Sequence, residues 1–140
     1  MNDHDATSHL RDHAIAKVTV RSSESKPYDQ TAGPALMELC ITETFSGDLD
    51  GEVTARALRV VRDDRSASFV GLNRFRGRLG KREGTFVLQG AGIVEKGRIR
   101  ATWFVVPGSG TDELYGLRGE GGFEGDFAKE SDATLDYWFE

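Results

Sequence analysis

The stretch from Trp103 to Phe123, WFVVPGSGTDELYGLRGEGGF, decides the fold class. It consists of an apolar run, a break at Pro107–Thr111, and a second run in which apolar residues alternate with glycine and charged residues. Proline fixes φ at about −65°, glycine permits positive φ, and serine and threonine hydroxyls bond to nearby backbone, so the break has the chemistry of a turn. The stretch therefore predicts two antiparallel strands joined by a sharp turn, the second of them over residues 113–124.

The rest of the chain repeats this pattern of alternating segments separated by turn residues. It predicts strands over residues 14–22, 36–45, 52–62, 66–77, 83–94, 98–106, 113–124 and 133–139. Residues 23–34 are predicted to form the longest loop, and we expect this loop to lie across one end of the barrel. The other connections are short, and eight sequential hairpin strands protect their edges best by closing on themselves. We therefore predict an all-β fold, an eight-stranded antiparallel up-and-down closed β-barrel, as a single domain over residues 14–140 after a flexible tail over residues 1–13.

Seven short motifs follow one another along nearly the whole chain after the first dozen residues. They are Lys26-Pro27-Tyr28, Phe45-Ser46-Gly47, Ala67–Leu72, Gly84–Gln89, Val105–Thr111, Gly116–Gly121 and Leu135-Asp136-Tyr137. Together they resemble a bacterial family, the domain of unknown function 3224 family. The resemblance implies a barrel similar to those of allene oxide cyclases and dirigent proteins. It implies no activity, because the general activity of the family is not established.

Composition excludes several classes of partner. The chain has 140 residues and a formal net charge of −5, with its Lys and Arg residues spread out. Nucleic acids and anionic membrane surfaces need a basic footprint, so we expect neither as a partner. The apolar runs are too short for a membrane span, no signal-peptide pattern is present, and Cys40 is the only cysteine, so no intrachain disulfide can form. A cytoplasmic protein is the expectation.

Few reactive groups are available for cofactor or nucleophilic chemistry. The histidines, His4, His9 and His13, all lie in the predicted tail, which leaves the barrel without an imidazole for a Ser/His/Asp triad. His9 and His13, with Asp5 or Asp12, form at most a weak metal-binding pattern, and a solvated chain end is the favoured interpretation.

Two further features invite functional interpretations that the sequence does not favour. The glycine-rich stretch 108–122 lacks the Gly-Lys-Ser/Thr ending of a phosphate loop, so a hairpin turn is favoured. Cys40 has no evident local base or cation and is interpreted as a packed, inert thiol. No metal and no cofactor are expected.

The candidate site is a set of polar and aromatic groups embedded in the strands. Glu43 and Glu120 are the candidate acid/base groups, Asn73 and Gln89 the orienting groups, and Trp103, Phe69, Tyr115 and Tyr137 the substrate-binding walls. A carboxyl group in an apolar lumen has a raised pKa and can transfer protons near neutral pH. These residues predict a barrel that binds an apolar, polyketide-like or lipid-like small molecule and promotes its cyclisation or isomerisation without a cofactor.

Two questions stay open at the level of sequence. On the strand Thr85–Val94 both faces are largely apolar, so alternation does not tell which face lines the lumen. The same two-sided apolarity predicts a homodimer or higher homo-oligomer. The alternative function is a non-catalytic ligand-binding or oligomeric scaffold, since eight-stranded barrels can be filled by their own side chains.

Overall fold

The chain forms one closed antiparallel barrel in which each strand pairs with the next and the last pairs with the first. A computed structural model describes residues 10–126 and 130–140. The strands are β1 Asp12–Asp29, β2 Leu36–Gly47, β3 Leu49–Val61, β4 Ala67–Leu79, β5 Arg82–Glu95, β6 Arg98–Val105, β7 Leu117–Asp126 and β8 Glu130–Phe139. The predicted eight-stranded up-and-down barrel is therefore confirmed. Of the predicted flexible tail, residues 1–9 lie outside the described residues. The prediction was wrong for Asp12 and His13, which begin β1 and pair with Tyr137 and Asp136 of β8, so the barrel does contain one imidazole.

The first strand is longer than the sequence pattern predicts. Residues 23–29, predicted as part of a loop, continue β1 and pair with β2 from Ile41 back to Leu36. The prediction was wrong here because the pairing register shifts between Val20 and Ser22, and such a shift breaks the period-two alternation on which the prediction depends. The connection between β1 and β2 is therefore confined to residues 30–35.

One half of the barrel is filled by aromatic rings. Phe45, Phe75 and Phe86 are fully buried, with ring centroids 5.9 Å apart for Phe45 and Phe75 and 4.9 Å apart for Phe75 and Phe86. Trp103 stacks on Phe45 at 6.1 Å, and its indole N–H donates to the carbonyl of Thr134 at 3.0 Å. Aromatic rings of this size dominate the apolar area that a small core can bury. This packed half gives the barrel a closed floor.

The stretch that decides the fold class contains a long connection and not a tight turn. β6 ends at Val105 and β7 begins at Leu117, and residues 112–114 form a short 3₁₀ turn where a strand over 113–124 was predicted. The strand prediction began too early because Leu114 is apolar and was counted with the run that follows it, whereas β7 begins only at Leu117. In the structure both side chains are fully buried in the core cluster. Residues 106–116 thus form a plug at the closed end of the barrel.

The plug completes the hydrogen bonding of β5. β6 pairs with β5 only from Leu88 onward, so the preceding residues of β5 have no strand on that side. The N–H of Val87 donates to Oγ of Ser109 at 3.0 Å, and the N–H of Thr85 donates to Oγ1 of Thr111 at 3.0 Å. In return the N–H of Thr111 donates to the carbonyl of Thr85 at 2.9 Å. Backbone groups of a strand need partners, and the motif supplies them.

Candidate functional site

A cavity of about 470 Å³ occupies the other half of the barrel. It lies at the end where the odd-numbered strands finish and the even-numbered strands begin. Small residues on the inner face leave the space open: Ala55, Ala57, Gly71, Gly90 and Ala101. A side chain at Gly90 would place its Cβ 2.8 Å from the carbonyl oxygen of Thr102, so this position is restricted to glycine by close contact. The volume lies in the range typical of small-molecule sites.

Glu43 is the acidic group in the cavity whose protonation is most strongly perturbed. It is half-buried on the inner face of β2 and lines the cavity. Burial raises the pKa of its carboxyl group from 4.5 to about 7, and burial is the only cause of that shift. A carboxyl group with this pKa is divided between its protonated and ionised forms near neutral pH, so it can both donate and accept a proton.

Arg59 is a second charged group in the cavity, and no role in the site was predicted for it from the sequence. It follows Val53, Ala55 and Ala57 at period two on the inner face of β3, and it lines the cavity. Its Nε atom is buried and has no hydrogen-bond partner among the described residues. The signal was present in the sequence as an arginine in phase with small apolar residues, but arginine on a strand more often faces solvent.

Three of the predicted site residues line this cavity together with Glu43. Asn73 lies on β4, directly opposite Ala55 of β3. One strand, β3, therefore separates Asn73 from Glu43 on β2. Phe69 lies nearer the mouth, with its ring centroid 6.5 Å from that of Phe123. Trp103 lies at the boundary between the cavity and the closed floor, 5.1 Å from Phe123. Glu43, Asn73, Phe69 and Trp103 thus form the part of the predicted site that the fold brings together.

The other four predicted residues lie elsewhere. Gln89 alternates with the inward Leu88 and contributes to the outer surface, as does Glu120, which pairs with Arg11 at 2.7 Å. Tyr115 is 82% exposed at the end of the plug. Tyr137 packs against the core at the closed end, 6.2 Å from Phe139, and does not line the cavity. None of these four lines the cavity.

The described residues contain few groups for metal chemistry. Within residues 10–126 and 130–140, no cluster of three or more His, Cys, Asp and Glu side chains could hold a metal ion. His13 belongs to β1 and bonds through Nδ1 to a carboxylate oxygen of Asp136, whereas the candidate partners His9 and Asp5 lie outside the described residues. Across the same ranges, no helix has the length and apolarity to cross a membrane.

The outer surface of the barrel carries an apolar patch formed by Leu58, Val70, Leu72 and Phe104. Their exposed fractions are 47%, 53%, 54% and 42%. Leu58 pairs with Val70, while Leu72 is connected to Phe104 through Gln89 of β5, so the four residues form two adjacent rows across β3–β6. A contiguous exposed patch of this kind is a feature of interaction surfaces.

Comparison with known proteins identifies the family and no activity. The model of a family described as protein of unknown function (DUF3224) matches residues 14–140. The crystal structure of a DUF3224 protein of unknown function from Shewanella oneidensis MR-1 is similar, with a TM-score of 0.78 and 28% identity, over 93% of this chain and 98% of that chain. A conserved protein of unknown function from Rhodopseudomonas palustris shares the fold, with a TM-score of 0.55 and 11% identity over 91% of this chain and 97% of that chain. No curated protein matches the sequence. Since the family model covers nearly the entire barrel, the chain belongs to the DUF3224 family.

Proposed function

We propose that this barrel binds an apolar small molecule in its lumen and promotes a cofactor-independent isomerisation or cyclisation of it, with Glu43 as the acid/base group. The observation that carries the proposal is the convergence of Glu43 and Asn73 on an apolar cavity of about 470 Å³. Ligand sites typically combine a mostly apolar wall with a few polar groups that fix orientation. A lumen filled by its own side chains would lack such a space.

The chemistry requires only one proton to move. For an isomerisation, the ionised Glu43 accepts a proton from a ligand carbon that lies between a carbonyl group and a carbon–carbon double bond, and the electron pair shifts toward the carbonyl oxygen. The carboxylic acid then returns the proton to the far carbon of that double bond, so the double bond moves into conjugation with the carbonyl group. The side-chain N–H of Asn73, which lines the same cavity, donates a hydrogen bond to that oxygen in this proposal. The pKa of Glu43, about 7, suits both directions of transfer near neutral pH. Enclosure excludes water and holds one folded conformer of the ligand.

Native mass spectrometry of the protein purified from its own host tests the binding step. We expect a small molecule that is retained under gentle conditions and released under denaturing conditions. The variant Ala57→Phe, which places a ring in the cavity, should lose it. The matched control Thr54→Phe places the same ring on the exposed outer face of the same strand and should retain it. Equal retention by both variants would contradict binding in the lumen.

The catalytic step is tested with the molecule that is released. Glu43→Gln keeps the size of the side chain and removes its acid/base function. We expect this variant to retain the ligand but to lose its conversion by at least about a hundredfold, the usual contribution of a positioned acid or base. Unchanged conversion would exclude Glu43 from the reaction, and binding without any conversion by the wild type would favour a non-catalytic carrier.

The outer apolar patch favours a second candidate function, an oligomeric scaffold formed by two copies of this chain. One row of the patch begins at Arg56 and runs through Leu72 to Glu120 and Asp136. The row therefore carries an arginine at one end and two carboxylates at the other, although Arg56 lies 3.7 Å from Glu38 and Glu120 pairs with Arg11 within the same chain. A two-fold axis reverses the row, which places Arg56 of one copy opposite Glu120 of the other, so the surface is complementary to itself.

Size-exclusion chromatography with light scattering, which measures the molar mass of the eluting protein, tests this assembly. We expect a dimer for the wild type, a monomer for Leu72→Glu, which buries a charge in the contact, and a dimer for Thr19→Glu, an exposed position of β1 outside the patch. A wild type that is monomeric across working concentrations, or a Leu72→Glu variant that stays dimeric, would exclude this interface.

A further inference from the structure

Arg59 gives the cavity a positive charge that the described part of the chain does not neutralise. None of the ion pairs between described residues involves it, and its buried Nε atom has no hydrogen-bond partner there. The other charged groups that line the cavity are Glu43 and Asp126. Asp126 is already paired with Arg98 at 2.9 Å. A guanidinium group that is partly removed from water is costly unless an anion or a hydrogen-bond acceptor contacts it.

The position of Arg59 separates it from Glu43 along the lumen. Val53 faces Glu43 across the β2–β3 pair, and Arg59 lies six residues further along β3. At about 3.4 Å per residue, the two levels are roughly 20 Å apart along the strand, and about 15 Å apart along the barrel axis because the strands of a closed barrel are tilted. Glu43 therefore lies toward the aromatic floor, whereas Arg59 lies toward the open end, where the register pairs it with Phe69. A ligand that contacts both groups must be elongated.

We propose that Arg59 binds the carboxylate of an elongated, otherwise apolar ligand at the open end of the cavity, while the apolar body extends toward Glu43. This inference rests on the proposed function, since it names the class of molecule that the lumen accepts. A guanidinium group presents two parallel N–H donors that match the two oxygens of a carboxylate. Binding of that kind orients the ligand and places the same end outward in every complex.

Fluorescence titration with dansylaminoundecanoic acid and its uncharged primary amide measures the effect of the carboxylate alone. The two probes share one apolar body. We expect the wild type to bind the acid at least about tenfold more tightly than the amide, as a charge-assisted hydrogen bond provides. Arg59→Gln should lose this preference while binding the amide as the wild type does, and Arg59→Lys, which keeps the charge, should retain part of it. Arg76→Gln, an exposed position on β4, is the matched control and should behave as the wild type.

The possible outcomes separate the two proposals. A preference for the acid that persists in Arg59→Gln would overturn the role of Arg59 and leave ligand binding in the lumen standing. Binding of the acid that survives Ala57→Phe would place the probe outside the cavity and would also overturn the inference. Failure of the wild type to bind either probe would count against elongated carboxylates as the ligand class. Whether the lumen binds any small molecule is tested separately, by the native mass spectrometry described above. Far-ultraviolet circular dichroism of each variant establishes that the barrel is folded.

Discussion

Replacing Glu43 by glutamine should change how the stability of the barrel depends on pH. In the folded protein the carboxyl group has a pKa of about 7 because burial disfavours its charged form, against 4.5 for the ordinary value. Ionisation is thus harder in the folded state than in the unfolded state. The wild type is stabilised most below pH 4.5, where the group is protonated in both states, and it loses stability as the pH rises from about 4.5 to about 7.

The magnitude follows from the two pKa values. Each unit of difference corresponds to about 1.4 kcal/mol, so complete ionisation costs the folded state about 3 kcal/mol. Part of this loss has already occurred at pH 5.5, and about 2 kcal/mol of it falls between pH 5.5 and pH 8. Glutamine has no charge to desolvate, so Glu43→Gln should lack this decline. The difference in unfolding free energy between variant and wild type should therefore grow by about 2 kcal/mol over that interval.

Urea unfolding followed by the fluorescence of Trp103 and Trp138 at several pH values between about 5.5 and 8 measures this difference. Other titrating groups contribute equally to both proteins and cancel in the comparison. Glu52→Gln, at an exposed position on the same barrel, controls for the loss of one carboxylate. If the difference between wild type and Glu43→Gln stays constant within about 0.5 kcal/mol, the carboxyl group is not desolvated and its acid/base role loses its physical basis.

The packed half of the barrel yields three further expectations, each measured by urea unfolding at fixed pH. Ser109→Ala leaves the N–H of Val87 without its partner and should cost about 1–2 kcal/mol, while ligand retention stays unchanged because the plug lies at the far end from the cavity. Gly84→Ala would place a Cβ 2.2 Å from the carbonyl oxygen of Thr111, so it should cost about 2 kcal/mol or more by displacing the plug. Trp103→Phe removes the indole N–H that bonds to a β8 carbonyl and should cost about 1–3 kcal/mol. A cost near zero for any of the three would show that the named contact does not contribute to stability.

The barrel was predictable from the sequence because its strands are long, sequential and joined mainly by short connections. Period-two alternation identified all eight strands, and errors arose where another influence interrupted that period. The register shift after Val20 concealed the end of β1. Leu114 was predicted as a strand residue because it is apolar, although this buried side chain lies in the 3₁₀ turn of the plug and β7 begins only at Leu117. The pattern of apolar residues shows which side chains are buried, and buried side chains also occur outside strands.

The site was only partly predictable from the sequence. Which face of a strand points into the lumen depends on how all eight strands close into the barrel, and the residues of one strand do not reveal it. On β5 the inner face carries Phe86 and Leu88 and the outer face carries Val87 and Ala91, so apolarity does not distinguish them. The position of Gln89 on the outer face follows from closure alone. Glu43 lies in phase with the apolar residues Leu39, Ile41 and Phe45 of β2, and the structure places it in the lining of the cavity.

One of the motifs that resemble the family, Val105–Thr111, lies at the opposite end of the barrel from the cavity. The segment Val105–Thr111 supplies backbone partners to β5 and brings Leu114 into the core, and both functions depend on the motif's own glycine, serine and threonine residues. Such requirements are the same whatever the lumen contains. The cavity instead owes its size to alanine and glycine at inner positions and its polarity to Glu43, Asn73 and Arg59. Membership of the family therefore accounts for the fold of this chain, whereas the class of any ligand must be inferred from the residues that line its own cavity.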